Sequence, residues 1–178
     1  MYLLNALSKL KLYQVNKTIV KTAKSVGVRF INNSTTSCVN VNTILGDDVS
    51  FNGMRIIGHG NVTIGSRFHC AEGCYIITDN HDYDNGREIP YDHERSMPRD
   101  VIIGDNVWLG TATIVLPGAF IEEGAIIQAG SVVIGRIPKG AIAGGHPAKV
   151  FKYRDLNHYE KLKREKAFLE NRQYLLDD

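Results

Sequence analysis

The chain has 178 residues, 43% of them apolar, which is enough for one domain with a sizeable core. Its formal charge is only +2, and Lys and Arg do not alternate with aromatic residues, so the composition argues against nucleic-acid binding. Three cysteines without CxxC spacing (Cys38, Cys70 and Cys74) are predicted to be buried thiols. Since the sequence has no signal-peptide pattern and no apolar run of about 20 residues, we expect a cytoplasmic protein.

Residues 1–40 are predicted to form a basic, helical N-terminal cap. The first 30 residues carry six basic side chains and no acidic one. Several leucines recur there at helical spacing: Leu3, Leu4, Leu7 and Leu10. Two roles remain open, covering one end of the following domain or contacting an anionic membrane surface.

A six-residue period dominates the segment from Val101 to Val133. Large aliphatic residues occupy one position of each repeat: Ile103, Leu109, Val115, Ile121, Ile127 and Val133. Small or β-branched residues lie two positions ahead: Val101, Val107, Thr113, Ala119, Ala125 and Ser131. Neither a helix nor a single strand has this period, whereas stacked short strands separated by corners do. The pattern predicts an all-β fold, a parallel β-helix with a shared axial core.

The predicted β-helix domain covers residues 41–152 and is interrupted once. Ile64, Cys70 and Ile76 already keep the six-residue step, but the rhythm stops at Thr78 and resumes near Val101. The insertion, residues 79–99, is rich in acidic residues and poor in aliphatic ones, so it is predicted to be a loop outside the core. Because insertions in repeat proteins map to the binding face, we expect the chemistry there. Residues 153–178 are predicted to form a C-terminal helix.

Four motifs together resemble the hexapeptide-repeat acyltransferases, and among them the maltose, galactoside, xenobiotic and polysaccharide O-acetyltransferases. They are the hexapeptide array, the loop beginning Ile77-Thr78-Asp79-Asn80-His81, the run Ile103-Gly104-Asp105-Asn106-Val107-Trp108-Leu109-Gly110, and the closing Ala143-Gly144-Gly145-His146-Pro147-Ala148-Lys149. The resemblance covers about Val41 to Lys152. It implies a left-handed β-helix, a homotrimer with active sites between subunits, and acetyl-CoA as co-substrate.

The resemblance also implies roles for particular residues. His81 is implied as the general base that takes a proton from an acceptor hydroxyl, and Trp108 as a residue that lines the site. The implied coenzyme contacts are Trp108, Gly110, Thr111, Ala129, Lys149 and Lys152. The implied acceptor contacts are Asn52, Asp82, Tyr83 and Trp108, although Asp82, Tyr83 and Tyr91 could equally order the loop. Where several relatives have Thr-Lys, this chain has Ile134-Gly135, so one coenzyme contact is either missing or supplied by Arg136.

Two other functions compete with an acetyl-CoA-dependent O-acetyltransferase acting on a saccharide. One is a zinc enzyme of the γ-carbonic anhydrase type, which would use histidines among His59, His69, His81 and His93. Their spacing does not follow closely paired ligands, so no metal site is predicted. The other is a trimeric scaffold or sugar-binding module without catalysis.

Overall fold

The computed structural model describes residues 2–169, with side chains from residue 6 onward. Short strands stack in parallel into three sheets that form the walls of a β-helix. Sheet A contains β1 (Ser25–Val26), β3 (Thr43–Leu45), β6 (Val62–Ile64), β11 (Val101–Ile103), β14 (Phe120–Ile121) and β17 (Arg136–Ile137). Sheet B contains β2 (Ile31–Asn32), β4 (Ser50–Asn52), β7 (His69–Glu72), β12 (Trp108–Leu109), β15 (Ile126–Ile127), β18 (Ala141–Gly145) and β19 (Ala148–Tyr153). Sheet C contains β5 (Arg55–Ile57), β8 (Tyr75–Ile77), β13 (Ile114–Val115) and β16 (Val132–Val133).

The six-residue period places one large aliphatic side chain per strand in the axial core. Trp108 of β12 pairs with Ile126 of β15, eighteen residues later. One coil of the β-helix therefore consists of three six-residue repeats, each of which contributes one strand. Every residue of the two predicted series is at most 1% exposed. The aliphatic residues form in-register ladders, for example Leu45, Ile64, Ile103, Ile121 and Ile137 in sheet A. The predicted fold class, a hexapeptide-repeat β-helix with an insertion and helical terminal segments, is confirmed.

The N-terminal helix covers the first coil with only part of its length. Helix α1 (Tyr2–Thr22) buries Ile19, and Asn16 donates to the backbone carbonyl of Asn32 in β2 and accepts from the Asn32 side-chain amide. Leu7 and Leu10 are more than half exposed, while the side chains of Leu3 and Leu4 lie outside the described residues. No described helix has the length and apolar character needed to cross a membrane.

The coil stack begins earlier than residue 41, the boundary that the sequence indicates. Strands β1 and β2 lie within the predicted cap, yet β1 pairs in parallel with β3 and β2 with β4. Residues 25–32 lack the regular six-residue pattern because this first coil has a neighbouring coil on one side only and α1 on the other.

The insertion is a two-stranded antiparallel hairpin where the sequence indicates a loop. Strand β9 (Asp79–Asp82) pairs with β10 (Asp92–Pro98) and brings Ser96 opposite His81. The hairpin lacks an aliphatic core, and two buried carboxylates, those of Asp82 and Asp92, instead accept backbone hydrogen bonds from its tip. The pairing of β9 with β10 holds the insertion in a defined shape outside the β-helix.

The C-terminal segment folds back along the coils. Strand β19 runs antiparallel to β18 and is followed by helix α2 (Leu156–Arg164), capped by the Asp155 carboxylate, which accepts from the His158 N–H at 3.0 Å. The helix is shorter than the predicted segment 153–178, because Lys166 adopts a positive φ of 54°. Phe168 therefore lies beyond α2, and Leu175 lies outside the described residues.

Candidate active site

His81 lies on the hairpin where it leaves the β-helix. Its imidazole is exposed and stacks on the Tyr91 ring, with centroids 4.2 Å apart and planes 17° from parallel. The stacking orients the ring while the residue stays exposed to solvent. A general base needs this combination of fixed orientation and access.

Asp79 anchors the root of the hairpin to the coil below. Its Oδ1 accepts the His59 backbone N–H at 3.0 Å, and its Oδ2 accepts the Ser96 hydroxyl at 2.8 Å and contacts His59 Nδ1. Burial acts to raise the pKa of Asp79, but the hydrogen bonds from His59 and Ser96 outweigh it and hold that pKa below its ordinary value. Asp79 is therefore a charged anchor two residues from His81.

Asp82 has a structural role in the hairpin. It is 4% exposed, accepts the Asn85 N–H at 2.8 Å and lies 3.6 Å from Arg95 Nη1. Its carboxylate is therefore used within the hairpin, as the loop-ordering alternative predicts. Tyr83 is 64% exposed on the same hairpin and is free to contact an acceptor.

The predicted coenzyme residues lie together along another edge of the β-helix. Gly110 and Thr111 connect sheet B to sheet C in one coil, and Ala129 lies in the equivalent corner of the next coil. A Cβ atom on Gly110 would lie 2.5 Å from the Ala129 backbone nitrogen, so only glycine permits this close stacking. Thr111 and Ala129 are exposed, and their small side chains leave a shallow track along the edge.

Trp108 lies beside this track on the outer face of sheet B. It is 52% exposed, which excludes a core tryptophan. Lys149 and Lys152 are exposed on β19 at the end of the same sheet, where Lys152 pairs with Ile142. The structure thus brings the predicted coenzyme residues to one side of sheet B and its edge with sheet C.

Two other residues that the sequence suggests for ligand binding, Asn52 and Arg136, make contacts within the protein. Asn52 donates to the Cys70 carbonyl at 2.9 Å and accepts from Asn33 at 3.0 Å, so both ends of its amide brace neighbouring coils. Arg136 lies on sheet A, pairs with Glu122 and covers the Phe120 ring. Arg136 is therefore on a different face of the same chain from the track, and its role as a coenzyme contact stays a prediction.

Among residues 6–169, potential metal ligands gather at one place, with Glu88, Asp92 and His93 contributing atoms within 4.8 Å of one another. Asp92 is buried there, and its carboxylate accepts the backbone N–H groups of Arg87 and Glu94 at 3.1 and 3.0 Å. His93 Nδ1 lies 2.6 Å from Glu88. These contacts are the internal hydrogen bonds of the hairpin tip.

The hairpin and the track lie on different edges of the β-helix. The hairpin connects β8 of sheet C to β11 of sheet A, whereas the track runs along the edge between sheets B and C. His81 and Trp108 are thus presented by separate parts of one chain. A site that uses both needs the hairpin of one copy beside the track of another.

Two similar curated proteins carry acetyltransferase names. The chain is 37% identical over 123 residues to an Escherichia coli K12 protein provisionally named lipopolysaccharide biosynthesis O-acetyl transferase WbbJ, covering 65% of this chain and 62% of that one. It is 38% identical over 112 residues to a protein of Saccharomyces cerevisiae S288c provisionally named acetyltransferase YJL218W, covering 62% and 56%. The chain thus spans about three fifths of the length of these relatives. No family model matches the chain.

Solved structures share the fold. A maltose O-acetyltransferase from Clostridium difficile 630 superposes with a TM-score of 0.69 at 23% identity, covering 84% of this chain and 86% of that one. A galactoside acetyltransferase in complex with coenzyme A gives a TM-score of 0.64 at 23% identity, covering 85% and 81%. The resemblance to hexapeptide-repeat acetyltransferases is confirmed.

Sequence reasoning missed two features of this region. The Asp79 anchor depends on Ser96, seventeen residues away, and on His59 in the preceding coil. Arg154 follows β19 and lines, together with Trp108, a groove to which the C-terminal segment contributes one wall. Neither pairing has a local sequence signal, because both depend on how distant segments return to the coils.

Proposed function

We propose that the protein transfers an acetyl group from acetyl-CoA to a hydroxyl of a saccharide, with His81 as the general base. The observation that carries the proposal is that one chain has both an exposed, oriented imidazole on a hairpin and a track of small residues beside Trp108. The track suits a slender pantetheine arm, and Lys149 and Lys152 offer positive charge for the coenzyme's phosphates. The names of the relatives support a saccharide-related acceptor, and two similar solved structures contain coenzyme A or acetyl-CoA.

In the proposed reaction, His81 removes the proton of the acceptor hydroxyl as its oxygen attacks the thioester carbonyl carbon. The tetrahedral oxyanion then re-forms the carbonyl as the C–S bond breaks, which leaves an acetyl ester and the coenzyme thiolate. The imidazolium of His81 returns its proton to the thiolate, so the base is regenerated. Backbone N–H groups near the track are the proposed donors to the oxyanion. The reaction would take place in the cytoplasm, where acetyl-CoA is available.

We propose that the active form is a homotrimer. His81 and Trp108 lie on different edges of one chain, so a site that uses both needs two copies. A closed ring of three copies would place each hairpin beside the track of its neighbour.

The experiment is a thiol-release assay with acetyl-CoA and a panel of saccharides. His81→Ala should lower kcat by about 10²- to 10⁴-fold, the usual contribution of a general base. His93→Ala is the matched control, since His93 is exposed on the same hairpin and its ring is paired with Glu88. Near-normal turnover of His81→Ala would show that His81 is not the general base. Failure of acetyl-CoA to raise the melting temperature would favour a non-catalytic scaffold.

A further inference from the structure

A groove of about 370 Å³ lies on the side of Trp108 away from the coenzyme track. The coils contribute Arg67, His69 and Trp108 to it, and the returning C-terminal segment contributes Arg154, Phe168 and Leu169. The Phe168 ring packs against the Arg67 guanidinium, whose carbon lies 4.4 Å from the ring centroid. The groove is thus built from both the β-helix and the segment that follows α2.

Arg154 is the cation in this groove without an anionic partner among the described residues. Its Nε is buried and makes no hydrogen bond, and its guanidinium carbon lies 5.5 Å from the centroid of the Tyr159 ring. The neighbouring Arg67 is different, since it donates to Asn106 at 2.8 Å and to Asp105 at 3.2 Å. Arg154 lines the groove and no described carboxylate pairs with it, so its guanidinium is the group there that is available to an anionic ligand.

Glu123, a carboxylate that contacts α2, already has partners of its own. Glu123 accepts from Tyr159 at 3.0 Å and pairs with Lys139 and Lys163. His69 does not add a cation either, because burial lowers its pKa although Asp48 acts in the opposite direction. Arg154 therefore supplies the unbalanced positive charge of the groove.

The remaining walls suit a ring-shaped molecule. Trp108 is 52% exposed and offers part of its indole, and the other wall is the apolar pair Phe168 and Leu169. Aromatic faces pack against the C–H groups of sugar rings, and an arginine binds phosphate or carboxylate through paired donors. The combination fits a sugar that carries an acidic group.

We propose that this groove binds an anionic saccharide, with Arg154 on its phosphate or carboxylate and Trp108 against its ring. That the bound sugar is also the acetyl acceptor rests on the proposed function, whereas the binding itself does not. The location supports this role, since Trp108 separates the groove from the coenzyme track.

Binding can be tested without turnover, because Trp108 is the only tryptophan in the chain and reports on the groove by its fluorescence. Full-length protein saturated with coenzyme A is titrated with glucose 1-phosphate, glucuronate, glucose and inorganic phosphate. We expect saturable changes with glucose 1-phosphate or glucuronate at concentrations at least roughly tenfold lower than with glucose or inorganic phosphate. Equal responses to glucose, or equally tight binding of inorganic phosphate, would overturn the proposal.

Arg154→Gln should weaken binding of the anionic sugar roughly 10- to 100-fold and leave the affinity for coenzyme A unchanged. Arg164→Gln, at the exposed end of α2, is the matched control and should bind as the wild type does. A loss of coenzyme A affinity in Arg154→Gln, with sugar binding intact, would assign the cation to the coenzyme and overturn the proposal. If anionic sugars bind but no acetyl transfer occurs, the proposed function fails and the binding site stands.

Discussion

Asp79 binds Ser96 across the base of the hairpin, its Oδ2 accepting from the Ser96 hydroxyl at 2.8 Å. Ser96 in turn lies opposite His81 in the β9–β10 register. The contact ties both strands to the coil at His59, so the position of His81 depends on a carboxylate that need not touch substrate. We regard Asp79 as a positioning residue.

Asp79→Ala should lower kcat about 10- to 100-fold through displacement of His81, because small errors in the placement of a base are costly. The KM for acetyl-CoA should stay unchanged, since the track lies on another edge. Asp79→Asn keeps one acceptor oxygen and should recover part of kcat. Asp84→Ala, exposed on the same hairpin, is the control. The variants are compared by steady-state kinetics. If the KM for acetyl-CoA of Asp79→Ala rises by as much as its kcat falls, the positioning role is contradicted.

Protonation of the Asp92 carboxylate at low pH should weaken the hydrogen bonds that hold the hairpin tip together. The backbone N–H of Arg87 is the largest influence on its carboxylate, and it lowers the pKa of Asp92 below the ordinary 3.8. Since the folded-state pKa is depressed, this stabilisation is complete above about pH 4 and is lost as the pH falls through the folded-state value. Proteolysis by pepsin, followed by mass spectrometry across pH 2–5, should show increasing cleavage within residues 83–91 toward the acidic end.

Asp92→Asn is the companion variant for the acid experiment. It removes the titrating group, so its hairpin should be more open above pH 4 and should change less on acidification than the wild type. Identical pH profiles for the two proteins would show that another group controls the tip.

Filling the track should block the coenzyme and spare the fold. Ala129 is exposed, so Ala129→Phe adds a ring on the surface and should leave the melting temperature nearly unchanged. The ring would occupy the proposed path of the pantetheine arm, and the Kd for acetyl-CoA should rise roughly tenfold or more. Ala129→Ser keeps the residue small and should bind normally. Unaltered acetyl-CoA affinity in Ala129→Phe, measured by calorimetry, would exclude this path.

Mixing two impaired variants, at acetyl-CoA concentrations well below the Kd of Ala129→Phe, tests whether the site joins two copies. His81→Ala lacks the base and Ala129→Phe has an obstructed track, but a mixed oligomer can place an intact hairpin beside an intact track. Random trimers from equal amounts should regain about a quarter of wild-type activity per site. The assay follows thiol release after joint refolding, with each variant refolded alone as the control. Absence of recovery in mixed oligomers whose composition is verified by native mass spectrometry would argue that one chain supplies the whole site.

The parts of the fold that the sequence predicts are those with local regularity. Ile103 and Leu109 follow a period that each coil repeats, so their burial can be read from spacing alone. The hairpin cannot be predicted from spacing in this way, because Asp82 and Asp92 are buried, whereas carboxylates are ordinarily expected on the surface. Their burial depends on backbone N–H groups that only the folded tip brings together.

In the candidate site, too, some residues can be predicted from the sequence and others cannot. His81 and Trp108 were identified through motifs, and the structure leaves both exposed. Arg154 has no such motif, and its significance depends on the return of Phe168 over Arg67. A contact between segments about 100 residues apart has no periodic signal in the sequence.

The antiparallel return of β19 has a consequence for how copies of the chain meet. Strand β18 is the last parallel strand of sheet B, and β19 occupies its outer hydrogen-bonding edge from Ala141 to Gly145. Without β19, that edge would offer unpaired N–H and C=O groups to another chain. A chain ending before Ala148 should therefore pair with a second copy through this edge. Because α1 still covers the first coil at the other end, the association should stop at two chains.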